Sequence, residues 1–191
     1  MCAWLSTLLA LAMPLKTASN VRNEETKVLI DTVSIELLIS PKDSIKNKLI
    51  EQVENYIYKN FPKTHKTIPT LLVEIGLQNE VDISFMMAQT QIETSFGTAG
   101  AGKEASRRSL FGVAKRKYGS YDDAISDYVA LLKKSYLTKG RTEKDLMRKY
   151  TTTSGYKYAG NPNYEAELRG AYNTINKKTN IGVLQREYKK L

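Results

Sequence analysis

Residues 82–98 read DISFMMAQTQIETSFGT, and the reading of this stretch decides the fold. Between residues 83 and 102 only Glu93 is charged, in a chain where 26% of residues are. Neither proline nor glycine interrupts residues 83–96. The run reads as a helix, capped by Asp82, whose carboxylate can accept an orphan backbone N–H, and stopped at Gly97, which suits a left-handed turn. At 100° per residue, Glu93 falls between Met86 and Gln89. Phe85, Ala88, Ile92 and Phe96 form a second arc, and Ile83 and Met87 a third. A helix apolar nearly all round is a buried one. Glu93 also lies in the last turn, at the negative end of the helix dipole. Burial and dipole both disfavour the ionised carboxylate. A carboxyl that keeps its proton near neutral pH suits a general acid; a solvated helical glutamate is the plainer alternative.

The 191 residues suffice for one domain with an extension. Twenty-nine Lys and Arg against 20 Asp and Glu leave a net charge of +9. That balance favours polyanionic surroundings such as nucleic acid, anionic lipid or cell wall, without choosing among them. A single His65 and a single Cys2 exclude a disulfide framework and argue against a Cys/His metal centre, so no cofactor is expected. Residues 3–15, AWLSTLLALAMPL, form a charge-free apolar block too short to span a bilayer. They suit the core of an export signal over residues 1–20, with small residues Thr17, Ala18 and Ser19 at a cleavage point, although no Lys or Arg precedes them.

Residues 28–40 fit a strand or a buried helix equally well. After a break at Pro41, Ile45, Leu49, Val53, Ile57 and Phe61 recur every four residues, predicting a helix capped by Asp43 or Ser44 and closed by Pro62. The basic loop 62–69, holding a solvated His65, marks a boundary between an extension, 21–66, and a main domain, 67–191. A helix over 69–79 precedes the Glu93 helix. Residues 98–108, TAGAGKEASRR, form a glycine-rich then basic loop directly after the candidate acid. Ser120 caps the next helix, which carries Ala124, Ile125, Tyr128, Val129 and Leu132 on its apolar face through about residue 137. Thr142 starts a short helix with Leu146, Met147 and Tyr150 inward. A loop over 151–160 contains Tyr156 and Tyr158. Asn161 and Pro162 then open the last long helix, and the basic tail from Lys177 is expected to be peripheral. The fold class is mainly α.

QIETSFGT, LFGV, YDDAISDYVALL and YKYAGNPNYEAEL, in this order, resemble the peptidoglycan glucosaminidase family, the autolysins and flagellar-rod hydrolases with a lysozyme-like fold. Glu93, Ser95, Phe96 and Gly97 match its Glu-Ser-x-aromatic-Gly element, with Thr94 where Ser is usual. Leu110, Phe111 and Gly112 match its Asn-Leu-Phe-Gly element, with Ser109 for Asn. Tyr158, Ala159, Tyr164 and Leu168 match its last element. The resemblance covers about residues 67–176. It implies cleavage of the β-1,4 bond on the reducing side of N-acetylglucosamine in a peptidoglycan strand, Glu93 as general acid, and Tyr158 in the cleft beside the sugar. It implies export to the periplasm or wall, or carriage in a phage particle. Many members carry a β-hairpin lobe with a second carboxylate after Leu-Phe-Gly. Only AKRKYG separates Val113 from Ser120 here, so that lobe is reduced or absent.

Glycosidases commonly flank the bond with two carboxyl groups. Glu104 in the glycine-rich loop is the leading second candidate; Asp122 and Asp123 suit a helix N-terminus better. The substrate's own N-acetyl oxygen is the alternative and is slightly favoured. Gln89, Ser95, Phe96, Phe111, Tyr118 and Tyr164 are candidate substrate contacts. Tyrosine rings on loops can stack on sugars, and Arg107, Arg108, Lys115, Arg116 and Lys117 can hold carboxylates of the polymer. The rivals are a lytic transglycosylase or muramidase of the same fold, whose usual Gly-Leu-Met-Gln element is absent, and a non-catalytic wall-binding or virion protein. No helix carries a dense Lys/Arg stripe, which argues against a nucleic-acid partner.

Overall fold

The structure is a computed structural model that describes residues 40–104, 107–113 and 116–191. The apolar block at 3–15, its cleavage residues, Cys2, residues 28–39 and Lys115 lie outside the described residues. Helix α1 spans Pro41–Asn60, α2 Ile68–Gln78, α3 Ile83–Thr94 and α4 Gly100–Lys103. Helix α5 runs Tyr121–Leu131 and continues as a π-helical turn, Leu132–Tyr136. Then come α6, Glu143–Leu146, α7, Tyr164–Lys178, and α8, Ile181–Lys190. Among the described residues the one β bridge joins Thr151 to Lys157, so the domain is mainly α, as read. None of the described helices is long and apolar enough to cross a membrane.

Helix α3 is the axis of the core. Every residue of residues 83–90 is buried, which explains why the stretch carries no charge before Glu93. It lies chiefly against α7, while α1 packs on α2 and α8. Leu49, Val53 and Ile57 of α1, Leu72 and Val73 of α2, and Leu168 and Ile175 of α7 are fully buried in one cluster. Each such side chain removed from water contributes roughly 1.5–3 kcal/mol.

Four expectations change. Pro41 starts α1 rather than breaking the chain before it, because a first-turn proline loses no hydrogen bond. The chain divides between Ser40 and Pro41, not in the 62–69 loop, since α1 belongs to the main core. Helix α7 begins at Tyr164, with Asn161 Oδ1 instead accepting from Asn163 N at 2.9 Å in a turn. The C-terminal tail is not peripheral. It forms α8, with Ile181 fully buried and Gln185 4% exposed.

The N-terminus of α3 is tied from several elements. Asp82 accepts from Phe85 N at 3.1 Å, as its cap role requires. Gln185 accepts from Ile83 N at 3.0 Å and donates to Val81 O at 2.7 Å. Glu143 of α6 accepts from Asp82 N at 3.1 Å, and Tyr172 of α7 donates to Asp82 Oδ2 at 2.9 Å. Orphan N–H groups that water cannot reach are thereby satisfied.

Candidate active site

Helix α3 ends two residues earlier than the glycine predicts. Thr94 is its last residue, and Ser95, Phe96 and Gly97 all take positive φ, at 48°, 55° and 80°. Left-handed backbone at a non-glycine residue costs on the order of 1 kcal/mol. Burial of the Phe96 ring, fully enclosed and 5.0 Å from the ring of Phe61, offsets it. The left-handed run folds the chain back on the helix. Gly102 is admitted so closely that a Cβ there would lie 2.8 Å from Gly97 Cα.

Thr94, the departure from the usual Ser, keeps the hydroxyl at work. Its Oγ1 donates to Leu110 O at 2.8 Å and accepts from Gly97 N at 3.1 Å. The end of α3 is thus bound to the SLFGV segment. Ser109, the other departure, is 2% exposed and donates to Val113 O at 3.3 Å, closing that segment on itself.

This bond brings Gly112 against the acid. A Cβ on Gly112 would lie 2.1 Å from Glu93 Oε2 and 2.8 Å from its Cδ, and its φ is +63°. Only glycine accommodates both the conformation and the approach. Across the site, the Tyr164 hydroxyl donates to Glu93 Oε1 at 2.5 Å. Glu93 is half-buried, and burial raises its pKa above the ordinary carboxyl range, with the Tyr164 bond opposing the rise. Among the described residues Oε2 has no hydrogen-bond partner, so it is the oxygen able to carry a proton.

Behind the pair lies an aromatic layer. Tyr158 stacks on Tyr150 at 4.4 Å and sits 5.5 Å from Tyr164. Phe111 stacks on Tyr128 at 3.6 Å. Tyr150 donates to Gln89 Oε1 at 2.9 Å, and Tyr128 donates to the same oxygen. Burial raises the pKa of Tyr128, Tyr150, Tyr158 and Tyr164, so their hydroxyls remain donors at any working pH.

The candidate residues divide accordingly. Glu93, Tyr164, Tyr158 and Gln89 belong to one network. Tyr158 reaches Glu93 indirectly: its hydroxyl donates to Phe111 O at 2.5 Å, fixing the peptide next to Gly112. Gln89, Phe96 and Phe111 are 0–1% exposed, so the expected substrate contacts there give way to positions in the core beneath the site. Ser95 forms the C-cap of α3, and its carbonyl accepts from Thr98 Oγ1 at 2.8 Å. Tyr118 lies in another cluster, donating to Asp127 Oδ2 at 2.8 Å beside Arg116, its pKa pushed up to about 12 by burial and Asp127. Glu104 caps α4 and pairs with Arg107 Nε at 2.8 Å, its side chain 51% exposed. Arg108 donates to Tyr118 O at 3.2 Å and Gly119 O at 2.5 Å. Most of the basic group is therefore engaged locally.

Sequence reasoning missed Gly112 as the residue touching the acid, and Tyr150 and Tyr128 as members of the layer. Gly112 had a signal, a glycine inside a short apolar plug. The two tyrosines had none beyond their places on apolar faces.

The chain matches no curated protein. A family model, Glucosaminidase, described as mannosyl-glycoprotein endo-β-N-acetylglucosaminidase, matches residues 70–177, the span from α2 to the end of α7 that holds Glu93, Gly112 and Tyr164. A half-buried acid on the central helix, steadied by a tyrosine hydroxyl, lies within that match, and the chain belongs to the glucosaminidase family of glycoside hydrolases.

Proposed function

We propose that the protein hydrolyses the β-1,4 bond on the reducing side of N-acetylglucosamine in the glycan strands of peptidoglycan, with Glu93 as general acid. The supporting observation is the asymmetric setting of the Glu93 carboxyl. Oε1 is occupied by Tyr164 at 2.5 Å, while Oε2 faces the bare backbone of Gly112. Burial keeps the group protonated to higher pH than an ordinary carboxyl. In the first step the proton on Oε2 passes to the glycosidic oxygen as the C1–O bond breaks. The emerging carboxylate keeps the Tyr164 bond, which strengthens as charge appears, so Tyr164 favours the transition state over the ground state.

The attacking group in this reading is the substrate's own N-acetyl oxygen. It bonds C1 to give a cyclic oxazolinium, which water then opens, returning a proton to Glu93. The engagement of Glu104 with Arg107 supports this route over a two-carboxylate one. Near-normal turnover of Glu104→Gln is the result expected. Because the polymer lies outside the cytoplasm, the reading carries with it export to the wall or carriage in a phage particle.

The test is product analysis. Purified peptidoglycan is digested and the new chain ends are identified after borohydride reduction. Reduced glucosamine ends are expected. Anhydromuramic ends would assign the transglycosylase rival instead, and the absence of new ends would leave a non-catalytic wall-binding protein.

A further inference from the structure

Besides the Glu93 centre, the hairpin that follows α6 carries a second concentration of chemistry. Residues 149–158 fold back through the Thr151–Lys157 bridge, with Tyr158 N donating to Tyr150 O at 2.9 Å and Thr152 N to Tyr156 O at 2.8 Å. The rings of Tyr150 and Tyr158 join the layer behind Glu93. Beside Thr151–Thr153 opens a concavity of about 530 Å³ whose lining includes Lys139, Arg141, Arg148 and Lys149, with Asp145 its only acid. The Asp145 carboxylate accepts from Thr142 N at 2.9 Å and Thr142 Oγ1 at 2.8 Å, both on Oδ2, and its remaining charge offsets part of the field of Arg148 and Arg141.

Arg141 is held without an acid partner. Its guanidinium donates to Thr151 O at 2.5 Å and Lys149 O at 2.9 Å, so backbone carbonyls fix a full positive charge in place. Arg148, Lys149 and Lys139 are exposed and form no ion pair among the described residues. Four cations against one carboxylate leave a shallow, open surface with a net positive charge, whose field draws anions. Exposed Thr153 adds a neutral hydroxyl to the lining.

We infer that this concavity binds the carboxylates of the peptide stems that branch from the glycan strand. The inference rests on the peptidoglycan reading above. One hairpin then serves two parts of one polymer: the tyrosine side supports cleavage of the sugar backbone, and the basic side holds its anionic branches. The planar arginine fork and the lysine ammonium both suit carboxylates through charge-assisted hydrogen bonds.

Binding is read apart from turnover, in a Glu93→Gln background, so that failure of the hydrolase reading leaves this result standing. The full chain is cosedimented with insoluble peptidoglycan, and with the same glycan stripped of its stems by an amidase, which remains anionic through its lactyl groups. Arg148→Gln with Lys149→Gln is expected to bind stem-bearing polymer roughly tenfold more weakly at low salt, about one tenfold step for two charge-assisted contacts. Arg148→Lys with Lys149→Arg restores binding, and the stripped polymer shows no difference. Equal binding of stem-bearing polymer by the glutamine pair and its parent overturns the inference. An equal loss on both polymers also overturns it, because the patch then attracts any polyanion.

Discussion

The Tyr164 hydroxyl donates to Glu93 Oε1 at 2.5 Å, joining the start of α7 to the end of α3 across 71 positions of sequence. This bond sets which carboxyl oxygen is free, and it works against burial in setting the acid's pKa. Tyr164→Phe removes the opposing influence. The Glu93 pKa then rises further, so the acid form persists to higher pH and the alkaline limb of the kcat/KM profile moves upward. The carboxyl also loses its orientation, and kcat falls by about 10–100-fold, the scale of a lost hydrogen bond to a charged group. A pH–rate profile of the variant checks both.

Gly112→Ala places a methyl 2.1 Å from the original position of Glu93 Oε2, at a backbone φ of +63°. Turnover is expected to fall at least about a hundredfold, and stability by about 1–2 kcal/mol from the left-handed backbone alone. Gly160→Ala is the control. It has nothing within 4 Å of the added carbon and should melt and turn over like wild type.

Thr94→Ser should be nearly silent, because either hydroxyl can donate to Leu110 O. Thr94→Val leaves that carbonyl and Gly97 N unpaired, at roughly 1–3 kcal/mol for a buried polar group. The loop carrying Gly112 loosens with it, so kcat drops in Val but not in Ser. Thermal melts and steady-state rates on the pair separate the two effects.

Gln185→Ala removes partners from Ile83 N and Val81 O, both in the buried entry to α3. The expected loss is about 2–4 kcal/mol, seen as a lower midpoint in urea with an unchanged slope. The kcat of the folded fraction should stay close to wild type, since the pinned end of α3 lies opposite Glu93.

What sequence made legible was the axis and the glutamate at its end. The charge-free run after Asp82 announced a buried helix, and both the cap and the single glutamate in the last turn stand where expected. The exit from α3 was misread because Gly97 looked like the sufficient stop. In fact Ser95 and Phe96 already turn left-handed, held there by a ring buried against Phe61, a tertiary contact with no local signature. The tail was misread for a related reason. LQREY is strongly polar, and the value of Gln185 lies in two backbone groups about 100 positions away. Tyr164 was singled out as a sugar contact, and in the structure its hydroxyl donates to Glu93. Nothing in residue type separates those uses; only the placement of α7 against α3 does.

Replacement of the acid itself bears most directly on the account. Glu93→Gln keeps the shape and can still accept from Tyr164, but it has no proton to give. Its rate on purified peptidoglycan should fall at least about a hundredfold, the scale of a missing general acid. Because the folded pKa of Glu93 is raised, the ionised carboxyl weakens the wild-type fold as pH rises through that value. The variant should therefore melt as high as wild type or higher at pH 7, and gain nothing below the ordinary carboxyl pKa of about 4.3. Wild-type turnover by a folded Glu93→Gln protein would contradict the account.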